Sequence, residues 1–390
     1  MGQVLAGQAG EHVLPAEHIL LRSAAAALVP HKPLVWDAIY ARGGSLEGIV
    51  SFTCDSDGAN VWERIAEASR HPWHSRQPLH RTFAGAEGAT LVVRLHNVGN
   101  LCSVLNHGRV FEPAPAPGTK VVLVGDFNDN IGTFSTHIPD RTVNWGNLTA
   151  QVEERFVGME GVSALLDDTR LLLWAIQQQQ IAPPAPHPKL LSLPLGLPNA
   201  GSAGALWHTY HRFLAHGDGC EQLPPRSVLL TINNSGWQHR AMVNAVVNAT
   251  FGGTLVNSYG SGRPYWDILL ESKFVLSPSG MGYDCYRQWE ALAHGAIPVV
   301  ESSPGLDRTY AGLPVLIVAD WTDVTPELLE SVWHEYTVER AAEWDFNRLT
   351  EGYWLDLLAD AAAAGSIDSV TERHPLYSDV RRSATARRLL

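Results

Sequence analysis

The chain has 390 residues, enough for two or three domains at about 100–200 residues each, and carries a formal net charge of −12 with a pI near 5.8. Apolar residues make up 45% and charged residues 17%, which excludes global disorder. The acidic balance argues against a protein that coats nucleic acid, and no apolar run reaches the roughly 18 residues of a membrane span.

In chain order, Leu46–Thr53 reads as a strand running into the turn Cys54–Gly58, and residues 60–70 have helical spacing behind Asn60 as a cap. Leu91–Leu95 and Lys120–Val124 are further short strands, the second ending in Gly125-Asp126-Phe127-Asn128-Asp129. Residues 161–180 read as a helix that the prolines of 183–188 stop, and Leu190–Leu193 leads into Pro194-Leu195-Gly196. A helix is expected around Trp207–Ala215, inside a Gly- and Pro-rich stretch, 198–226, that holds the domain boundary. Beyond it the expected order is strand Ser227–Ile232, helix 237–250, short helix Tyr265–Glu271, strand Phe274–Leu276, helix Tyr283–His294 capped by Gly295, strand Ile297–Val300, strand Pro314–Val318 and helix 325–340. Alternating strands and helices at this spacing predict parallel sheets covered on both faces. The expected domains are 1–222 and 223–365, with a basic, disordered tail over 366–390.

The informative stretch is Phe274–Val300, FVLSPSGMGYDCYRQWEALAHGAIPVV. A strand, a glycine-containing loop and a helix N-terminus form a natural place for an anion, because glycine lets backbone N–H groups approach it and the helix dipole favours it. Arg287 and Glu290 are three residues apart and share a helix face. An arginine suits a diphosphate and a glutamate suits a pair of ribose hydroxyls; the competing reading is an exposed helix ion pair.

Ser277-Pro278-Ser279-Gly280, Arg287, Glu290 and Gly295-Ala296-Ile297-Pro298-Val299-Val300, continued by Leu313-Pro314-Val315 and Asp320-Trp321, resemble the donor-nucleotide half of exostosin-like glycosyltransferases. The resemblance covers roughly residues 185–330, with Lys189–Pro198 similar to the segment on the linker side. It implies a GT-B-like α/β fold, with two Rossmann-like domains whose parallel sheets face a cleft. It also implies inverting transfer of a sugar from a UDP- or GDP-linked donor to the hydroxyl of a glycan or glycoconjugate, with no obligatory metal or other cofactor. Donor contacts then fall to Arg240, Ser279, Gly280, Gly282, Tyr283, Asp284, Arg287 and Glu290. Arg240 and Arg287 meet the diphosphate with the helix N-terminus at Gly282–Asp284, and Glu290 holds the ribose. Val332–Leu358, rich in Trp and Tyr, is expected to pack back across the cleft.

An inverting transfer needs a base from the first domain. Asp126, Asp129 and His137 are the candidates, against a plain Asp/Asn turn at the strand end. Asp55 and Asp57 form a D-x-D that a metal-dependent transferase could use, again against a turn. His71, His74 and His80 read as a loop, and Trp207, His208, Tyr210 and His211 as core packing or an acceptor platform. Four dispersed cysteines, Cys54, Cys102, Cys220 and Cys285, read as thiols rather than a zinc site or disulfide scaffold. Sequons begin at Asn147, Asn233 and Asn248. The N-terminus shows no signal pattern, so the chain as it stands is expected in the cytoplasm, or in a Golgi-type setting if an anchor lies outside it. A rival to the enzyme is a binding module of the same fold without turnover.

Overall fold

The computed structural model describes residues 16–31, 49–52, 90–95, 120–125, 166–177, 187–198, 200–214, 222–235, 239–280, 284–303 and 306–364. Nine strands form two parallel sheets among them. The first runs β1 (Ile49–Phe52), β2 (Thr90–Leu95), β3 (Lys120–Gly125), β4 (Leu171–Gln177) and β5 (Leu190–Leu193), in chain order across the sheet. The second runs β6 (Val228–Ile232), β7 (Ser272–Leu276), β8 (Ile297–Glu301) and β9 (Leu316–Val318). Their α/β, parallel character is compatible with Rossmann-like folding.

One expectation is overturned in the first sheet. Much of the helix read over 161–180 is strand β4. Its sequence, LLLWAIQ, buries Leu171, Leu173, Trp174 and Ala175. A run that is apolar on every side carries no period to tell a helix from a strand covered on both faces. The turn into β4 is built locally. Asp168 accepts from the Arg170 backbone and guanidinium, while Lys189 and Lys120 donate to the Asp168 and Thr169 carbonyls.

The second sheet reverses direction once. A parallel bridge between Ile232 and Asn257 gives β6 a partner on its outer side. The chain leaves β6, passes through α3 (His239–Thr250) to that outer side, and returns through α4 (Tyr265–Glu271) to β7 on the other. Connections that leave neighbouring strands in opposite directions open a crevice beyond the carboxyl ends of β6 and β7, where open α/β sheets take ligands. Helix α5 (Tyr286–Ala293) then leads to β8. It starts later than the predicted Tyr283. Cys285 is its N-cap, Gln288 Oε1 accepts from the Cys285 N–H at 2.7 Å, and Gly295 ends the helix at φ 69°. Helix α6 (Pro326–His334) starts at an N-cap threonine, Thr325, and runs into a π turn over Glu335–Glu339.

Both ends of the described chain cross between the sheets. Helix α1 (Ile19–Leu28) buries Leu20, Leu21, Ala24 and Leu28 in the core of the second sheet, beside α5. Helix α7 (Glu351–Ala364) sends Trp354, Leu357, Leu358 and Ala361 onto Val122, Leu173, Ala175, Leu191 and Leu193 of the first. A buried arginine anchors the start of β6: Arg226 is 2% exposed and donates to the Glu17, Leu269, Ser272 and His294 carbonyls. Its cation thus serves the carboxyl ends of α4 and α5, where carbonyls lack helical partners. Burial pulls this guanidinium down to about 9. Among the described residues no helix is long and apolar enough to cross a membrane.

Between α1 and α2 (Ala200–Leu214), α5 is held on two sides. The Tyr210 hydroxyl donates to the Ala293 carbonyl at 2.6 Å, and Trp207 packs edge-on to Tyr210 at 5.9 Å, while His208 and His211 face solvent. Core packing is therefore the role of the aromatic pair on α2.

Candidate functional site

The crevice begins with the loop after β6. Asn233 and Asn234 are buried, and Asn234 exchanges two 2.9 Å amide hydrogen bonds with Asn244 of α3. Asn257 adds its own amide to the Asn234 carbonyl at 2.7 Å. This closed ring of amides fixes the loop without charge. The Asn233 side-chain amide donates to Ser258 Oγ, so the sequon at this position is folded into the site.

Arg240 lies in the first turn of α3. Its Nε donates to the Ser279 carbonyl at 3.3 Å, and its guanidinium lies directly over Gly280, where an added Cβ would stand 3.0 Å from Arg240 Cζ. Gly280 is therefore needed for close approach, the role expected of a glycine in this loop. Ser279 is 1% exposed and its hydroxyl has no hydrogen-bond partner among the described residues. From α5, Arg287 donates through Nε to the Asn233 carbonyl at 2.9 Å, while its buried Nη1 has no partner there.

Glu290, one turn further along α5, is half-buried, and among the described residues its carboxylate makes neither a hydrogen bond nor an ion pair. This overturns the helix ion pair: Arg287 reaches across to the β6 loop instead. Burial pushes the Glu290 carboxyl up to about 7, with the Arg287 charge working in the opposite direction. The buried hydroxyl of Tyr265 lies beside the same two groups and makes no well-formed hydrogen bond. Three buried polar atoms on the loop after β7, on α4 and on α5, namely Ser279 Oγ, the Tyr265 hydroxyl and Arg287 Nη1, thus lack partners among the described residues, although buried polar groups are nearly always paired.

Asp284 does different work. Its carboxylate is 1% exposed and accepts from the Leu195 N–H at 2.7 Å, Trp289 Nε1 at 2.8 Å and the Tyr310 hydroxyl at 3.1 Å. These donors tie the exit of β5 to the start of α5. Burial raises this carboxyl to about 6 against the pull of its hydrogen bonds. Cys285 Sγ sits 3.6 Å from an Arg240 nitrogen, and burial pushes the thiol up.

The structure therefore brings together Arg240, Ser279, Gly280, Arg287 and Glu290. Sequence reading missed Asn233, Tyr265 and the pair His239–Glu301, whose nitrogen and oxygen are 3.2 Å apart. Gly282, Tyr283, Asp126, Asp129, His137, Asp55, Asp57, His71, His74 and His80 lie outside the described residues. Among the described residues no group of three or more His, Cys, Asp or Glu side chains could hold a metal.

A parallel α/β sheet with two arginines, a glycine loop and a glutamate at its switch point has the layout in which open α/β sheets take ligands. Residues 226–342 match the family model described as the RXYLT1 C-terminal domain. Ribitol-5-phosphate xylosyltransferase 1 of Danio rerio is 36% identical over 80 residues, 17% of this chain and 18% of the relative. The Homo sapiens protein of that name is 31% identical over 83 residues, again 17% and 18% of the two chains. The matches thus span less than a fifth of these curated relatives. They make the second sheet similar to a glycosyltransferase family.

Proposed function

We propose that the crevice beyond β6 and β7 binds the nucleoside-diphosphate half of a sugar donor, and that the protein is a glycosyltransferase moving a pentosyl group to a glycoconjugate hydroxyl. The observation that carries this reading is Glu290: a half-buried carboxylate with no donor among the described residues, beside Arg287, in a crevice where Ser279 Oγ also lacks a partner. Two vicinal ribose hydroxyls supply the missing donors for the carboxylate, and hydrogen bonds of this kind to an ionised group are strong. Arg240 over Gly280, together with Arg287, meets the diphosphate, and catalysis there is positioning plus stabilisation of the leaving charge.

The finer points belong to the same proposal. The two sheets are the halves of an exostosin-like GT-B enzyme, joined through β5, Asp284 and the crossing of α1 and α7. Transfer is inverting, needs no metal, and takes its base from the first sheet, with Asp126, Asp129 and His137 as candidates. By similarity to the named relatives, the transferred sugar is xylose and the acceptor carries ribitol 5-phosphate. The test is incubation with UDP- or GDP-linked xylose and a ribitol-5-phosphate acceptor, for the wild type and Glu290→Ala. Transfer by the wild type and its loss in the variant is the expected result. A folded wild type that turns over neither donor refutes the enzymatic reading.

A further inference from the structure

His239 is the first residue of α3, immediately before Arg240, and its Nε2 lies 3.2 Å from Glu301 Oε2. Glu301 ends β8, so the imidazole reaches from the helix that follows β6 to a strand two places along the sheet. It must therefore pass over the carboxyl end of β7, where Ser279 and Gly280 leave the sheet under the Arg240 guanidinium. The two side chains are 22% and 16% exposed, open enough to meet a ligand and dry enough for their charges to count. The first turn of α3 thus sets an imidazole and a guanidinium side by side at the crevice, at the end of a helix whose dipole favours an anion. Ser279, 1% exposed with a hydroxyl unpartnered among the described residues, independently marks this point as one that awaits a polar ligand.

We infer that His239, held by Glu301, contacts the terminal phosphate of a bound nucleoside diphosphate, while Glu290 holds the nucleoside. This rests on the donor-site reading above and deepens it by dividing the ligand between two groups of residues. His239 is a binding residue in this account, and Glu301 is its positioning residue.

The test is calorimetric titration of the protein with UDP, UMP and uridine, and with the three guanosine equivalents, on wild type, His239→Gln, His239→Lys and Glu301→Gln. For whichever base binds, the wild type prefers the diphosphate to the monophosphate. In His239→Gln the diphosphate loses about tenfold in affinity, as for one charge-assisted hydrogen bond, while monophosphate and nucleoside affinities change little. His239→Lys restores most of the preference because it supplies a cationic donor at the same place; a structural role for the imidazole would not be rescued this way. Glu301→Gln reduces the preference in the same direction by a smaller factor. Equal losses for diphosphate and monophosphate, or no loss, or failure of lysine to rescue, overturns the assignment. If the folded wild type binds no ligand of either series, the donor-site reading fails with it. That outcome appears in the wild type, and so is distinct from a failure confined to the variants.

Discussion

Replacing Glu290 by glutamine should make the ligand-free protein more stable and the binding site worse. The carboxyl is pushed from an ordinary 4.5 to about 7 by burial without a protein donor. Between those values the folded state holds a proton that the unfolded state has released. Stability therefore falls as pH rises through this window, and the full cost is present above about pH 7. Each tenfold change in proton affinity corresponds to about 1.36 kcal/mol, so the ionised group costs the fold about 3 kcal/mol. Glutamine keeps the volume and removes the charge. The stability of Glu290→Gln relative to wild type should thus rise by about 2 kcal/mol between about pH 5 and pH 8, most of the titration falling inside that interval. Urea unfolding followed by tryptophan fluorescence at both pH values reads this difference directly, and comparing the two conditions cancels any constant packing effect. A stability difference that is flat with pH, or that falls, refutes the picture of an uncompensated carboxylate. Affinity for a nucleoside diphosphate should move the other way, dropping at least tenfold.

Four further outcomes follow from the same geometry. Nucleotide binding at pH 7 should release about half a proton as Glu290 becomes fully ionised against ribose hydroxyls, measured by calorimetry in buffers of different ionisation enthalpy; proton uptake would contradict the role given to Glu290. Gly280→Ala should displace the flexible Arg240 side chain, weakening nucleotide binding about tenfold with little change in melting temperature; unchanged affinity would remove Arg240 from the site. Gly295→Ala should cost roughly 2 kcal/mol or more, because the residue sits at φ 69° and its new Cβ would stand 2.6 Å from Leu21 Cα of α1; chemical denaturation would show a midpoint unchanged from wild type if α1 does not pack there. Chelation with EDTA should leave nucleotide binding intact, and a chelator-sensitive affinity would return attention to Asp55 and Asp57.

The second sheet was legible because its signals are local. SVLLTI, KFVL and AIPVV are short apolar runs set off by glycine, proline and serine, and Arg287 and Glu290 share a face through spacing alone. Strand β4 was misread because its apolar residues surround the chain, so burial on both faces erased the period that separates strand from helix. Asp284 stood among the ligand contacts in the sequence because it lies beside the loop. Its donors come from Leu195, 89 residues away, and Tyr310, 26 residues away. Tyr265 and the His239–Glu301 pair were invisible for the same reason: their meaning lies in contacts across the sheet edge. The Ile232–Asn257 bridge, which creates the crevice, is a single residue pair with no strand-like run to announce it.

The central claim is that the crevice at the β6–β7 switch point binds a nucleoside diphosphate through Glu290 and the two arginines. Titration of the folded wild type and Glu290→Ala with UDP and GDP at pH 8 tests it most directly. The account predicts micromolar binding of one of the two nucleotides, weakened tenfold or more by the substitution, as expected for loss of hydrogen bonds to an ionised group worth about 1.5–3 kcal/mol. Binding that Glu290→Ala leaves untouched, or no binding of either nucleotide, would contradict it.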